Sequence, residues 1–272
     1  MRGPDRTCFR RIRTRHEQEK EGTLTRLKGK IAFVTGAGGG IGRAICEQFL
    51  NEGALVAAAD INPDLTVRVD PADSEGRFIA LRCDVGDSDS VRDAIAQTVE
   101  AFGSLNVICN VAGGSTSQDG RVTEAPESEF WRAIKVDLFG TFVCCKHGLP
   151  ELIKAGGGSV INMASMVALM AVPDRDCYTA AKGGVMALTR SMAAGYARHA
   201  IRVNAIAPGI TRTPRVQAYI DAHSGEDTLA ARHLLGLADP IDIAHMAVYL
   251  ASDESRVVTG QVLAVDSGVT IC

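Results

Sequence analysis

One stretch limits the folds open to this chain more than any other: Ile31-Ala32-Phe33-Val34-Thr35-Gly36 running into Ala37-Gly38-Gly39-Gly40-Ile41-Gly42. An apolar, strand-like run meets a glycine turn, and an amphipathic helical pattern begins directly after it. Glycine permits the tight turn and lets a pyrophosphate approach the backbone, while the helix N-terminus offers free N–H groups and a positive dipole end. Alone, a glycine cluster reads equally as a flexible loop. Its strand-turn-helix setting favours a phosphate cradle, with Gly36, Gly40, Ile41 and Gly42 as contacts.

The same alternation continues to the C-terminus. Short apolar runs are expected as strands at Ile31–Val34, Leu55–Ala59, Phe78–Arg82, Asn106–Asn110, Ser159–Met163, Ile201–Ile206 and Val262–Val265. Helical periods fill the gaps at Ile41–Asn51, Asp89–Phe102, Glu127–Ile153, Cys177–Arg198, Gln217–Leu235 and Ile241–Ser252. Near-continuous hydrophobic strands are what a sheet covered on both faces requires. The expected fold is α/β, a Rossmann-like three-layer arrangement around a seven-stranded parallel sheet. Asn62–Gly76, with two prolines and four acids, is expected to be a loop or a short helix.

A chain of 272 residues without a Pro/Ser-rich break between Lys30 and Val265 favours one catalytic domain over 27–272. Residues 1–30 carry ten Lys/Arg against four Asp/Glu, whereas the whole chain has a net charge of -3. The basic leader, 1–26, reads as a nucleic-acid arm, an organelle presequence or a solvated, disordered extension. The absence of serine from its Arg-rich part and the presence of Glu17, Glu19 and Glu21 favour the extension. The acidic remainder argues against nucleic acid as a partner.

Eight cysteines show neither CxxC spacing nor histidine partners, so no metal is expected and buried free thiols in a reducing compartment are favoured. Cys177, beside Tyr178, is the one alternative candidate for a reactive thiol. No apolar run reaches the ~18 residues of a membrane span, and no signal peptide is evident, so a cytoplasmic protein without a membrane partner is expected.

The second expected strand ends at Asp60, followed by Ile61 and Asn62. An acid there accepts hydrogen bonds from the ribose hydroxyls of an adenine dinucleotide and repels a 2′-phosphate. With no Arg or Lys at 37–42 or 61–62, NAD is favoured over NADP. The turns Asp84-Val85 and Asn110-Val111-Ala112-Gly113 follow the third and fourth strands, at the sheet edge where open α/β proteins bind ligands. Singly they are loop punctuation; together they line the adenine and ribose side of one crevice.

Tyr178 and Lys182 lie four residues apart, about one helical turn, so they share a face. Tyrosine ordinarily titrates near ~10, and a neighbouring cation favours its phenolate. Such pairs also arise by chance, but Ser165 stands thirteen residues upstream of Tyr178.

These motifs, with Pro208-Gly209-Ile210-Thr211-Arg212-Thr213 and Val258-Thr259-Gly260-Gln261, resemble the short-chain dehydrogenase/reductase family in its single-domain form, from about Leu27 onward. The resemblance implies hydride transfer between NAD and a secondary alcohol or ketone. Tyr178 would be the general acid/base and Ser165 the ligand of the substrate oxygen. Lys182 would hold the nicotinamide ribose and depress the tyrosine pKa. Pro208, Gly209, Thr211 and Thr213 would meet the nicotinamide end.

Two departures stand out. Asp137 replaces an asparagine that in the family supports a water and a proton relay, and Val111 replaces the second asparagine of the usual turn. Asp137 either stabilises the Lys182 ammonium, weakening its help to Tyr178, or is a structural acid bonded to backbone. Met166 to Met170 are expected to wall the substrate pocket or pack a loop. The stretch Thr211–Leu237 matches the family's lid, where Arg212 or Arg215 either binds a substrate carboxylate or stays solvated. The family also implies a homotetramer through the two long helices, Glu127–Ile153 and Cys177–Arg198, and the last strand and helix. Competing functions are a 3-oxoacyl thioester reductase, which Asp60 disfavours, and a non-catalytic nicotinamide sensor or scaffold.

Overall fold

The computed structural model describes residues 25–65, 76–217 and 229–272. Seven strands form one parallel sheet in the order β3-β2-β1-β4-β5-β6-β7. They are β1 (Ile31–Thr35), β2 (Leu55–Asp60), β3 (Phe78–Arg82), β4 (Val107–Asn110), β5 (Gly158–Met163), β6 (Ile201–Pro208) and β7 (Val262–Val265). Every expected strand is present, with ends within two residues of the sequence reading.

Alternation along each strand divides the core into two layers. Ala32 and Val34 of β1, with Val56, Cys109 and Ile161, pack against Ile45 and Phe49 of α1 (Gly40–Asn51) and against Ile243 and Val248 of the final helix. Phe33, Ala57, Ile108, Val160 and Val203 face the opposite side, where they meet Val91 and Ile95 of α2 (Ser88–Phe102) and the long central helices. These strands are covered on both faces, which is why their sequences are apolar throughout.

Local chemistry sets the ends of several helices. Asp87 accepts from the Asp89 N–H to start α2, and Gly103, at φ 81°, ends it in the left-handed region. Among the described residues, no helix is long and apolar enough to cross a membrane.

The helix expected over Glu127–Ile153 is α3 (Glu127–Ala133), a π-helical segment (Ile134–Phe139) and α4 (Gly140–Lys154) in unbroken succession. The π turn adds a residue to the helical repeat and carries Asp137, which is wholly buried. Helix α5 (Asp176–Tyr196) carries Tyr178 and Lys182, and α6 is Pro240–Ala251.

Most of the expected helix Gln217–Leu235 lies outside the described residues. Residues 214–217 are helical, but Leu229–Arg232 is only a 3₁₀ turn and no helix reaches Leu235. His233 explains the stop: its Nδ1 faces the Leu229 carbonyl at 3.0 Å, and its Nε2 accepts from the Ile210 N–H at 3.0 Å. Pro63–Leu65 is a 3₁₀ turn, and the rest of the loop expected to Gly76 is largely outside the described residues. Arg26, placed by the sequence in the basic extension, is tied to the domain by two hydrogen bonds to Glu254, at 3.0 and 2.6 Å.

Candidate active site

The strand order runs away from β1 in one direction and from β4 in the other, making a topological switch point between them. A cleft of about 610 Å³ opens at the carboxyl ends of the strands. Of the residues read from the sequence, it is lined by Gly36, Gly40, Ile41, Gly42, Asp60, Ile61, Asp84, Val85, Ala112, Gly113, Ser165, Tyr178, Lys182, Pro208, Gly209, Thr211 and Thr213.

Two expected residues lie behind this wall. The Asn110 amide donates to Asn162 Oδ1 at 2.9 Å, joining β4 to β5, and does not line the cleft. Asn162 in turn donates to the Thr189 hydroxyl of α5. Asp137 does not line the cleft either; it is wholly buried against Lys182.

Backbone contact explains the glycines. A Cβ on Gly36 would stand 2.8 Å from both Cα and N of Ala112, so the β1 and β4 turns meet only because position 36 has no side chain. One on Gly42 would overlap the Gly36 carbonyl oxygen, and one on Gly40 would stand 2.7 Å from Cγ2 of Thr213. The Thr35 hydroxyl, which the sequence reading assigned no role, accepts from the N–H groups of Val111 and Ala112 at 3.1 and 3.2 Å and pins the second turn to the first. Val111 packs into the core beside these contacts.

The N-terminus of α1 has Gly39 at its cap and no side-chain hydrogen bond there. Its N–H groups are thus available to an anion. At the end of β2, Asp60 Oδ2 accepts from the Gly38 N–H at 2.9 Å and Oδ1 from Asn62 at 3.0 Å. The uncapped helix, the side-chain-free turn and a carboxylate at the ribose position fit an adenine dinucleotide.

At the other end of the cleft, Ser165 Oγ accepts from the Val167 N–H at 3.4 Å, capping a 3₁₀ turn, and its hydroxyl favours the anion of the neighbouring Tyr178 phenol. Lys182 Nζ lies 5.4 Å from the centre of the Tyr178 ring and donates to the Met163 carbonyl at 2.9 Å. Burial pushes the phenol above its ordinary value; the Lys182 ammonium opposes this, the Asp137 carboxylate adds to it, and Ser165 and Arg215 oppose it again. Lys182 therefore acts in the direction the resemblance implies, but the net shift in the chain itself is upward. Burial disfavours the Lys182 ammonium, yet Tyr178 and Asp137 outweigh it and hold the lysine charged.

Both readings of Asp137 are realised at one oxygen. Oδ1 stands 3.2 Å from Lys182 Nζ and accepts from the Gly114 N–H at 2.7 Å. A Cβ on Gly113 would overlap that same oxygen. Oδ2 has no hydrogen-bond partner and faces Arg132 Nη1 at 3.7 Å. Arg132 also donates to the Gly114 carbonyl and pairs with Glu129, whose side chain is only 2% exposed. Burial raises the Glu129 carboxyl, but Arg132 and Thr116 bring it below its ordinary value. The anion at 137 is thus embedded in an alternating series: Glu129, Arg132, Asp137, Lys182. The i,i+3 spacing of Glu129 and Arg132 was a legible signal that the sequence reading did not use.

Asp119 was also missed. It lies far from Tyr178 in sequence, and its two oxygens accept from the N–H groups of Cys177 and Tyr178 at 3.1 and 3.2 Å. It caps α5 from a loop, since Arg175 at the N-cap position makes no side-chain cap. Cys177 is not the reactive thiol considered from sequence: it is buried and its pKa is raised by burial first and Asp119 next. Burial likewise pushes Cys83, Cys109 and Cys145 up to about 12. No cluster able to hold a metal occurs among the described residues.

Of the substrate-side candidates, Met166 and Val167 pack with Tyr178 and Val269 and do not line the cleft. Arg212 does not line it, whereas Arg215 does. Tyr219 and His223 lie outside the described residues.

A family model described as enoyl-(acyl carrier protein) reductase matches residues 36–270. The chain is 39% identical over 251 residues to 2,5-dichloro-2,5-cyclohexadiene-1,4-diol dehydrogenase of Sphingobium indicum, covering 91% of this chain and 99% of that one. It is 34% identical over 249 residues to 3-oxoacyl-(acyl-carrier-protein) reductase of Thermotoga maritima, covering 90% and 100% respectively. Among solved structures, a short-chain type dehydrogenase/reductase from Mycobacterium ulcerans superposes with a TM-score of 0.85 at 28% identity, covering 90% of this chain and 91% of that one. The glycine turn at the switch point, the Ser165, Tyr178 and Lys182 side chains at the far end of its cleft, and these likenesses agree: this chain is an oxidoreductase of the short-chain dehydrogenase/reductase family.

Proposed function

We propose that the protein is an NAD-dependent dehydrogenase of a secondary alcohol, or reductase of the matching ketone, with Tyr178 as general acid/base. The observation that carries this reading is that the Tyr178 phenol, the Ser165 hydroxyl and Lys182 line one end of a cleft whose other end is the glycine turn and Asp60. Relatives named as a diol dehydrogenase and an oxoacyl reductase support chemistry at an oxygen-bearing carbon.

When bound, the nicotinamide supplies the hydride acceptor or donor. The chain's own residues hold the substrate oxygen and move its proton. Ser165 and Tyr178 hydrogen-bond the oxygen, and the phenol gives its proton to a ketone oxygen or takes the proton of an alcohol. Positioned acid/base catalysis of this kind contributes ~10² to 10⁴-fold. Lys182, fixed by Met163 and Asp137, keeps a positive charge under the phenol and favours its anionic form. Because the net shift of Tyr178 is upward, the phenol holds its proton at neutral pH and is poised to donate it.

NAD is the proposed cofactor because Asp60 puts a carboxylate in the cleft with Ile61 and Asn62 beyond it, and among the described residues the cations that line the cleft, Lys182 and Arg215, are at its other end. A screen of NADH formation with secondary alcohols, polyols and hydroxy acids at mildly alkaline pH tests the reading. With the substrate so found, Tyr178→Phe is expected to lower turnover by about 10²-fold or more; full turnover in that variant rules out the role given to Tyr178.

A further inference from the structure

We propose that the substrate carries a carboxylate and that Arg215 binds it, so that the protein acts on a hydroxy acid or the corresponding oxo acid. This rests on the dehydrogenase reading above and adds the substrate class to it.

Four charged side chains line the cleft among the described residues: Asp60, Asp84, Lys182 and Arg215. The two acids follow β2 and β3, at the edge where the adenosine half of a dinucleotide is expected. Lys182 is committed to the Met163 carbonyl and Asp137. Arg215 has neither an ion pair nor a hydrogen bond to any described residue. Arg215 is exposed at the mouth of the cleft, where its five donors, bonded to no described residue, are open to an anion that enters.

Its position points to the substrate rather than to the cofactor pyrophosphate. Thr213, two residues earlier, packs on Gly40 at the helix N-terminus that would hold the phosphates. The chain then crosses the cleft, so that the Arg215 guanidinium lies on Gly114: a Cβ there would overlap Nη2 and stand 2.6 Å from Nη1. This side of the cleft belongs to Tyr178: burial raises its phenol, and the charge of Arg215 is near enough to oppose that rise. Glycine at 114 leaves the guanidinium room to lie flat beside the reacting end. The anions below it are already engaged, Asp137 by Gly114 and Lys182, and Asp119 by the start of α5. A planar, forked cation matches a carboxylate in two parallel hydrogen bonds.

The test uses short 2-, 3- and 4-hydroxy acids, each paired with its methyl ester, so that members differ in charge and keep the reacting carbon. kcat/KM is measured for both members with the wild type, Arg215→Met and Arg215→Lys. The acid-to-ester ratio cancels effects on Tyr178 or on cofactor binding, which both members share. For at least one chain length, the wild type is expected to prefer the acid, with Arg215→Met lowering the ratio by about tenfold to hundredfold and Arg215→Lys restoring part of it. No preference for any acid, or a ratio unchanged in Arg215→Met, overturns the inference while turnover itself upholds the dehydrogenase reading. If no pair turns over, the dehydrogenase reading is decided by the alcohol and polyol arms of the screen above, and the acids are titrated calorimetrically in the presence of NADH. Acid binding that Arg215→Met loses supports the anion site; binding that it keeps, or no binding, overturns it.

Discussion

The Asp137 carboxylate stands 3.2 Å from the Lys182 ammonium, in a pair almost wholly sealed from solvent. Leaving one member of such a buried pair uncompensated is costly. Here each is held twice: Asp137 also by Gly114 and Arg132, and Lys182 also by the Met163 carbonyl. The acid holds the lysine charged but also raises the phenol that the lysine favours as an anion, so its net effect on Tyr178 is measurable.

Asp137→Asn keeps an oxygen for the Gly114 N–H and removes the charge. Because the carboxylate raises the Tyr178 pKa, removing it lowers that pKa. Alcohol oxidation needs the phenolate as base, so kcat/KM rises with pH toward the phenol pKa, and the variant's rise is expected at lower pH than in the wild type. The check is the pH profile of oxidation; a profile that stays in place or moves to higher pH contradicts the role given to Asp137. The cluster with Glu129, Arg132 and Lys182 would be left with one excess positive charge, so a lower Tm is also expected.

Asp60→Ser tests cofactor choice. The carboxylate accepts from Gly38 and Asn62 in the position of the ribose contact. Its repulsion of a 2′-phosphate is worth on the order of 2 kcal/mol, about 30-fold in Kd. The wild type should bind NAD more tightly than NADP by at least that order, and the serine variant should lose most of the difference. Titration of both cofactors by protein fluorescence decides, and tighter NADP binding by the wild type would falsify the role of Asp60.

Asp119→Ala removes the oxygens that hold the first N–H groups of α5, including that of Tyr178 itself. Loss of a helix cap typically costs ~1 kcal/mol, so Tm should fall modestly. Because the lost bond is on the backbone of Tyr178, the proposed general acid/base, kcat should fall as well, by about tenfold, since small misplacements of reacting groups are expensive. The Kd for NAD at the opposite end of the cleft should move little. Asp119→Asn, with one acceptor left, is expected between the two; a Tm loss with unchanged kcat would reduce Asp119 to a structural cap.

The outer face of the central helices is the proposed site of self-association. Trp131, Phe139 and Phe142 are 63, 39 and 46% exposed on α3, the π segment and α4, and the two phenylalanine rings stack at 6.4 Å. Exposed aromatic clusters of this kind are interface material. We propose assembly into a homotetramer through these helices and α5. Light scattering should give a tetramer at micromolar concentration, and Phe142→Asp should shift it to smaller species; a wild-type monomer would overturn the proposal.

Much of this was legible along the chain because strands and helices have different periods. The seven strands matched the apolar runs, and their continuous character reported two-sided burial for the inner strands, whereas the edge strands β3 and β7 are only partly buried. The glycines were legible for the same reason: positions 36, 40 and 42 exclude a side chain because backbone or Thr213 already occupies its place. Less was legible where contacts join distant segments. Asp119 reaches α5 from a loop, His233 holds the turn after β6, and no period or spacing announces either contact. Asn110 was read as a cleft residue from its place in a motif, yet the amide bridges to Asn162 inside the sheet.

The spacing of Tyr178 and Lys182 on one helical face and the order of the motifs were sufficient to identify the fold and the family and to nominate the candidate reaction centre, since helix geometry and strand alternation are local rules. The electrostatic state of that centre was a different matter. The π turn buries Asp137 under Gly113 and Gly114, the fold brings Arg132 and Glu129 beside it, and the loop after β6 carries Arg215 across to Gly114. Charge interactions depend on distance and burial rather than on separation along the chain, so only the assembled structure decided that burial raises the phenol pKa and that Arg215, paired with no described residue, lines the same cleft.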